Sequence, residues 1–332
     1  MTDTEVSAPN RPSEADKTAF DFAKWWDRIG ILVVLGALII FMVFAAPNFA
    51  STNNLLNIAR QISVNAILAA GMTFVIITAG IDLSVGSILA VAGVGSVLVA
   101  LAGAPAWIAV LVGILIGMAA GFFNGVLVAY LGLAPFIVTL GVMTFLRGLA
   151  YTMTGGQPIV DNMLSFRGLG NGYIAGIPTP VWIMIAVYVT AWFVLERTSY
   201  GRRVYAVGGN PEAARLAGIN VKRILTSVYV IAGACAALAG IIYASRVVSA
   251  QPRAGEGYEL DAIAAVVLGG TSLMGGQGRI VGTLIGAVIL GVLSTGLILM
   301  NVPFFTQLLI KGIVIILAIA IDSLKQRASG GA

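Results

Sequence analysis

Long apolar runs, separated by short polar or glycine-rich joints, fill the chain from residue 29 to residue 322. Each run is close to the roughly 20 residues that an α-helix needs to cross a bilayer at about 1.5 Å per residue. Ten spans are predicted: 29–46, 62–80, 84–103, 106–131, 135–153, 180–195, 224–246, 259–275, 279–300 and 304–322. The eighth is the weakest. Asp261 and the glycines at 269, 270, 275 and 276 suit a broken or re-entrant segment equally well. The expected fold class is all-α, a polytopic membrane helical bundle of about ten transmembrane helices.

Composition agrees. The chain is 59% hydrophobic and 10% charged, against about 25% charged in ordinary soluble domains, so its polar surface is too small to coat a globule in water. Its 41 glycines have no collagen-like period and suit close helix approach within a lipid-embedded bundle. With no histidine and a single cysteine, Cys235, an internal disulfide and a cysteine-based metal cluster are excluded, as is the commonest proton shuttle. No catalytic residue, cofactor or metal site is expected. The net charge of +5 gathers beside the spans and forms no continuous basic surface, which argues against nucleic acid as a partner.

Charge placement sets the topology. Residues 196–223 hold six of the nineteen Lys and Arg residues (Arg197, Arg202, Arg203, Arg215, Lys222, Arg223) against Glu196 and Glu212. Lys17, Lys24 and Arg28 precede the first span, and Lys325 and Arg327 follow the last. All three clusters should be cytoplasmic. An even number of spans separates each pair, so ten spans put the three on one side, with both termini cytoplasmic. Trp25, Trp26 and Trp192 then fall at inner span ends, and Trp107 and Trp182 at outer ones, as in an aromatic belt. Residues 1–28 read as a disordered cytoplasmic tail, with too short a leader for a cleaved signal peptide. Residues 29–322 form the transmembrane domain with a cytoplasmic loop at 196–223, and 323–332 a second cytoplasmic tail. A five-and-five division would make any internal repeat inverted, with Pro135-Phe136 and Pro303-Phe304 opening corresponding spans. On the outer side, Gly155–Pro178 and Ala250–Gly257 are the expected docking face.

Within the basic loop, Asn210 is a favourable N-cap, Pro211 suits the first helical position, and Glu212 complements the helix dipole. Ala213, Ala214 and Arg215 continue the helix, and Gly218 stops it. The result, Pro211–Ala217, is about two turns long and marginal in isolation. It either packs on its own membrane domain or docks on a cytoplasmic motor subunit.

Asp82 lies in Gly80–Ser87 among apolar spans, where a mid-bilayer carboxylate costs about 2.5–3.5 kcal/mol on insertion scales. It reads either as the cap of a helix starting at Leu83 or as a break lining a transport path. Lys311 sits eight residues into its span, to pair with a carboxylate, snorkel, or face water. Arg147 is a further ionisable residue inside a span. Gln61, Asn65 and Asn124 offer hydrogen bonds to a polar solute or to neighbouring helices. The candidate path residues are thus Asp82, Asn65, Asn124 and Lys311. Gly269–Ser272 and Gly275–Arg279 lack the lysine and spacing of a phosphate-binding loop, so ATP hydrolysis is not expected in this chain.

Three blocks, Gly80–Ser87, Glu196–Val221 and Gly255–Gly286, resemble the permease subunits of bacterial monosaccharide ABC importers, and the likeness extends over all the spans. The resemblance implies that two copies of the chain form a pathway in the cytoplasmic membrane. A separate cytoplasmic ABC ATPase subunit would dock on the inner loops, and a periplasmic sugar-binding protein would deliver the monosaccharide, ribose or a related sugar. The Glu212-Ala213-Ala214-x-x-x-Gly218 spacing corresponds to the loop that contacts the ATPase in that family. The alternative from another class is an ion-coupled secondary transporter of a small polar solute, with Asp82 as its main carboxylate.

Overall fold

The structure is a computed structural model that describes residues 22–329, with side chains at 30–314, 316 and 317. The expected tail at residues 1–21, including Lys17, lies outside the described residues, as do the side chains of Trp25, Trp26 and Arg28. Thirteen α-helices are described: α1 (Phe22–Ala45), α2 (Thr52–Ile77), α3 (Val85–Leu101), α4 (Ala106–Ala129), α5 (Pro135–Thr154), α6 (Gly168–Asn171), α7 (Thr179–Trp192), α8 (Ser199–Gly209), α9 (Pro211–Leu216), α10 (Val221–Val247), α11 (Tyr258–Leu268), α12 (Ile280–Leu299) and α13 (Phe304–Ser329). Two small ladders pair β1 (Ile159–Val160) with β4 (Ser249–Ala250) and β2 (Tyr173–Ile174) with β3 (Ile177–Pro178), both antiparallel.

Among the described residues, six helices are long and apolar enough to cross a membrane: α2, α4, α5, α7 with its π-helical extension to Arg197, α10 and α12. Shorter apolar helical segments occur at Gly30–Ala45, Val85–Leu101 and Phe304–Val314. Helix α2 starts ten residues before the predicted span, because Thr52–Gln61 is polar on one face yet stays helical. Helix α1 begins at Phe22, so the last residues of the expected 1–28 tail are helical.

Helix α10 is the axis of the bundle, packed against α2, α3 and α4. The apolar window of α2 is 83% buried, whereas that of α4 is 22% buried, which separates a protein-enclosed core from a lipid-compatible outer layer. Close approach of α4 to α10 is written in sequence as Gly113, Gly117, Gly121 and Gly125, one residue per turn. A Cβ on Gly125 would lie 2.7 Å from Thr226 Cα and one on Gly113 2.9 Å from Ile241 Cδ1, while those on Gly117 and Gly121 would meet the Gly233 and Tyr229 carbonyls more tightly still. Such small-residue ridges let backbones touch and gain dispersion energy that larger side chains would block.

The eighth predicted span is not a continuous helix. From α10 the chain forms β4, then turns back along α3. Ala250 shares a cluster with Val94 and Val97, whereas Gly255 lies against Gly86, about 12 Å further along α3 at 1.5 Å per residue. Helix α11 starts there and its 11 residues rise only about 16 Å. The loop after it reaches the end of α2, where Gly276 N donates to Ile77 O (2.8 Å). Residues 249–279 therefore run the length of the bundle as a re-entrant strand, a half-helix and a loop. The stretch 250–257, expected as an outer docking surface, is largely folded inside: Ala250, Pro252, Ala254 and Gly255 are buried. Its backbone is short of side-chain bulk, so it threads between helices.

Candidate functional site

At the end of the bundle carrying residues 196–223, the expected single helix is one of two. Helix α9 has the anticipated caps. Asn210 Oδ1 accepts from Ala213 N (3.0 Å), Pro211 opens the helix, and Gly218 follows it with φ +81°, a backbone region that glycine enters without steric cost. Glu212 and Arg215 pair at 2.7 Å but both side chains are about three-quarters solvent-exposed, so the pair adds little stability. Ala214 alone is buried; Leu216 is 85% exposed. A leucine held in solvent at the end of a short helix has no role in this chain's own core. Sequence reasoning passed over Leu216, although it is the one large apolar residue of the helix.

Helix α8 was missed altogether. Thr198 Oγ1 accepts from Gly201 N (3.2 Å) and caps it. Gly201, Val204, Val207 and Gly208 form its buried face and Arg202 and Arg203 stay exposed, a three-to-four-residue period that was readable in the sequence. Gly201 packs on the Leu195 backbone, and Gly208 on Ile77 and Gly276. Tyr205 Oη donates to Gly278 O (2.9 Å), and Tyr200 shares a hydrogen bond with Ser227 (2.7 Å). Burial raises both phenols above their ordinary range, so they remain neutral. Through α8, the α9 helix bears on the end of α2 and on the loop that follows α11.

The candidate path residues do not form one site. Asp82 and Asn124 are both fully buried and meet: Asp82 Oδ1 accepts from Ser84 N (2.9 Å), Ser84 Oγ and, at 3.4 Å, Asn124 Nδ2. Asn124 Nδ2 also donates to Ser84 Oγ (2.8 Å). The bonds to Ser84 make a capping turn ahead of α3. Asp82 Oδ2, Asn124 Oδ1 and Tyr229 Oη have no hydrogen-bond partner among the described residues. Lys311 Nζ pairs instead with Asp261 Oδ2 (3.0 Å), with side chains 23% and 12% exposed, tying α13 to α11. Asn65 lies on α2, partly buried, with Oδ1 unpartnered.

Arg147, on α5, donates to Pro252 O and Ala254 O (2.7 Å each). It holds the re-entrant strand by its carbonyls, partners that no residue-type pattern could disclose. Beyond it, Tyr151 Oη donates to Glu256 Oε1 (3.3 Å), and Arg253 pairs with Glu256 at 3.2 Å. At the end of the bundle opposite α9, Gly155–Pro178 is a folded cap. Ser245 Oγ accepts from Gly170 N (2.8 Å) and Asn171 Nδ2 donates to Ser245 O (2.7 Å). Val160, Met163, Tyr173 and Ile174 stand exposed on it.

Comparison with known proteins identifies relatives of the chain. The ribose import permease protein RbsC of Escherichia coli K12 is 50% identical over 299 residues, 89% of this chain and 93% of that protein. RbsC of Bacillus subtilis 168 is 48% identical over 300 residues, 90% and 93% of the two chains. The L-arabinose transport system permease protein AraH of Escherichia coli K12 is 39% identical over 316 residues, 95% and 96%. No solved structure matches the chain. Together with the apolar helices, these likenesses make the chain a multi-pass protein of the bacterial inner membrane and a transport subunit rather than an enzyme. The model for the branched-chain amino acid transport system / permease component family matches residues 54–319, and the chain belongs to that family.

Proposed function

We propose that this chain is the permease subunit of an ATP-driven importer of a monosaccharide, and that two copies form its pathway. The observation that carries the reading is α9, a capped helix of six residues whose Leu216 projects into solvent. Ala214 seats one side of the helix on α8 and α10, and a groove on a cytoplasmic ATPase supplies a surface for the exposed Leu216 on the other. Asn210, Pro211, Glu212, Ala213, Ala214, Arg215 and Gly218 shape the coupling element, with Leu216 as its apolar tip.

When the ATPase modules close, the α9 helices of the two copies are drawn together. The motion passes into α8 and from Gly208 to Ile77 and Gly276, shifting the end of α2 and the broken eighth segment as a unit. The Asp82 turn directly follows α2 and moves with it. ATP is hydrolysed on the partner. The relatives named above carry ribose and L-arabinose, which supports a monosaccharide as cargo. A periplasmic binding protein delivers it to the cap at 155–178, whose exposed Val160 and Met163 suit a protein contact.

The same reading gives ten crossings with both termini cytoplasmic, the eighth made of the re-entrant strand, α11 and its loop. Tails at 1–28 and 323–332 flank the membrane domain 29–322. The test is reconstitution in proteoliposomes with the ATPase and binding protein encoded alongside. Accumulation of D-ribose, D-allose or L-arabinose that needs all three components is the expected result. Uphill accumulation by the permease alone would establish the ion-coupled alternative instead.

A further inference from the structure

Arg253 and Glu256 carry charge at a depth where contact with lipid is costly. Their stretch of chain lies against Gly86, and α3 at Leu89 lies against Gly240. That puts it about 15 Å in from the end of α10, itself about 40 Å long. The Arg253 and Glu256 side chains are nevertheless 75% and 44% exposed. They continue a stripe on α5, where Gly141, Thr144, Gly148 and Thr152 are exposed and recur every three or four residues along one face. Open space lies over Gly141 and Gly148. Tyr151 joins the stripe to the strand through Glu256, and Arg147 anchors the strand beneath. The outer face of α4 is exposed at Leu115, Met118, Phe122 and Phe123 instead. Ile137, Phe145 and Leu149 stand exposed beside the α5 stripe as well, but the Arg253–Glu256 pair at its end is a poor match to lipid.

We infer that the α5 stripe and the re-entrant strand line a water-filled route for the sugar, with Tyr151, Arg253 and Glu256 as the groups that touch it. This rests on the importer reading above. A monosaccharide presents neighbouring hydroxyls that donate and accept. A guanidinium supplies fixed donors, a carboxylate accepts, and a phenol does both. An exposed ion pair already shared with water exchanges partners readily, so it gives passing contact rather than tight capture, as a conduit requires. The glycines and threonines of α5 leave clearance for the ring, and the second copy of the chain forms the far wall.

The test uses the complete importer, with ATPase and binding protein, in proteoliposomes on a Cys235→Ser background. Thr144→Cys should react with a charged, membrane-impermeant methanethiosulfonate reagent at least tenfold faster than Phe123→Cys, and its modification should block D-ribose uptake. Glu256→Gln and Arg253→Gln should each lower uptake about five- to twentyfold while ATP hydrolysis continues. They should also change the relative rates for D-ribose, D-allose and L-arabinose. The inference is overturned if Thr144→Cys is as inert as Phe123→Cys, the result for a strip buried dry between copies or facing lipid. It is equally overturned if both charge variants keep the parent's rates and sugar ratios. Should the parent complex accumulate none of the three sugars, the importer reading fails, and thiol reactivity at Thr144 still decides whether the strip faces water.

Discussion

Gly208→Ala separates coupling from docking. A Cβ at Gly208 would fall well inside contact with Ile77 O and 2.8 Å from Gly276 N, both backbone atoms that cannot rotate away. Helix α8 must then retreat by on the order of 1 Å, which stretches or breaks the Gly276 N–Ile77 O hydrogen bond of 2.8 Å. Overpacking of this kind costs about 1–3 kcal/mol, and a lost buried hydrogen bond about 0.5–1.5 kcal/mol net. Alanine regains up to about 1 kcal/mol of helix propensity. The net loss is about 1–3 kcal/mol, localised where α8 bears on the core. Gly209 is the matched control, since nothing lies within 4 Å of its Cβ position. Gly208→Ala should keep ATPase association, measured by copurification, yet lower sugar uptake per ATP hydrolysed severalfold. Gly209→Ala should behave as the parent in both. Parent-like coupling in Gly208→Ala would refute transmission through this contact.

Leu216→Asp should weaken copurification with the ATPase by at least tenfold, because removing a buried leucine from an interface costs about 1.5–3 kcal/mol, while insertion in the membrane stays unchanged. Lys311→Met leaves Asp261 without its partner and should lower the thermal stability of the detergent-purified chain by about 3–5 kcal/mol; adding Asp261→Asn should restore most of it, as read by melting. Asp82→Asn keeps an oxygen for Ser84 N and should retain most uptake and stability, whereas Asp82→Ala orphans two buried donors and should lose about 1–3 kcal/mol. Abolished uptake in a stable Asp82→Asn chain would give Asp82 a role in ion or solute movement.

Local signals were legible where the residues themselves close the interaction. Asn210, Pro211 and Gly218 act within a few positions of one another, so their capping could be read directly. The apolar runs likewise mark most helices, because burial in lipid or protein demands the same composition. The break in the eighth segment was visible only as Asp261 and a surplus of glycine. Its path was not, since Gln251–Gly257 has the composition of a surface loop and is held inside by Arg147, more than a hundred residues away. Asp82 and Asn124 both stood out as polar, but their meeting depends on how α4 crosses the turn before α3. Helix α8 carries a readable buried period, but its glycines, which fit backbone against backbone, weaken the helical propensity that would have drawn notice to it.

The eighth segment also constrains how the protein is made. Its strand and terminal loop leave backbone donors and acceptors that lipid cannot satisfy, and α11 is too short to partition into a bilayer by itself. The groups that receive it, Gly86 on α3, Arg147 on α5 and Ile77 on α2, all leave the ribosome earlier. Biogenesis must therefore seat this stretch in a cradle of preceding helices and keep it there until α12 and Lys311 on α13 arrive to close over it.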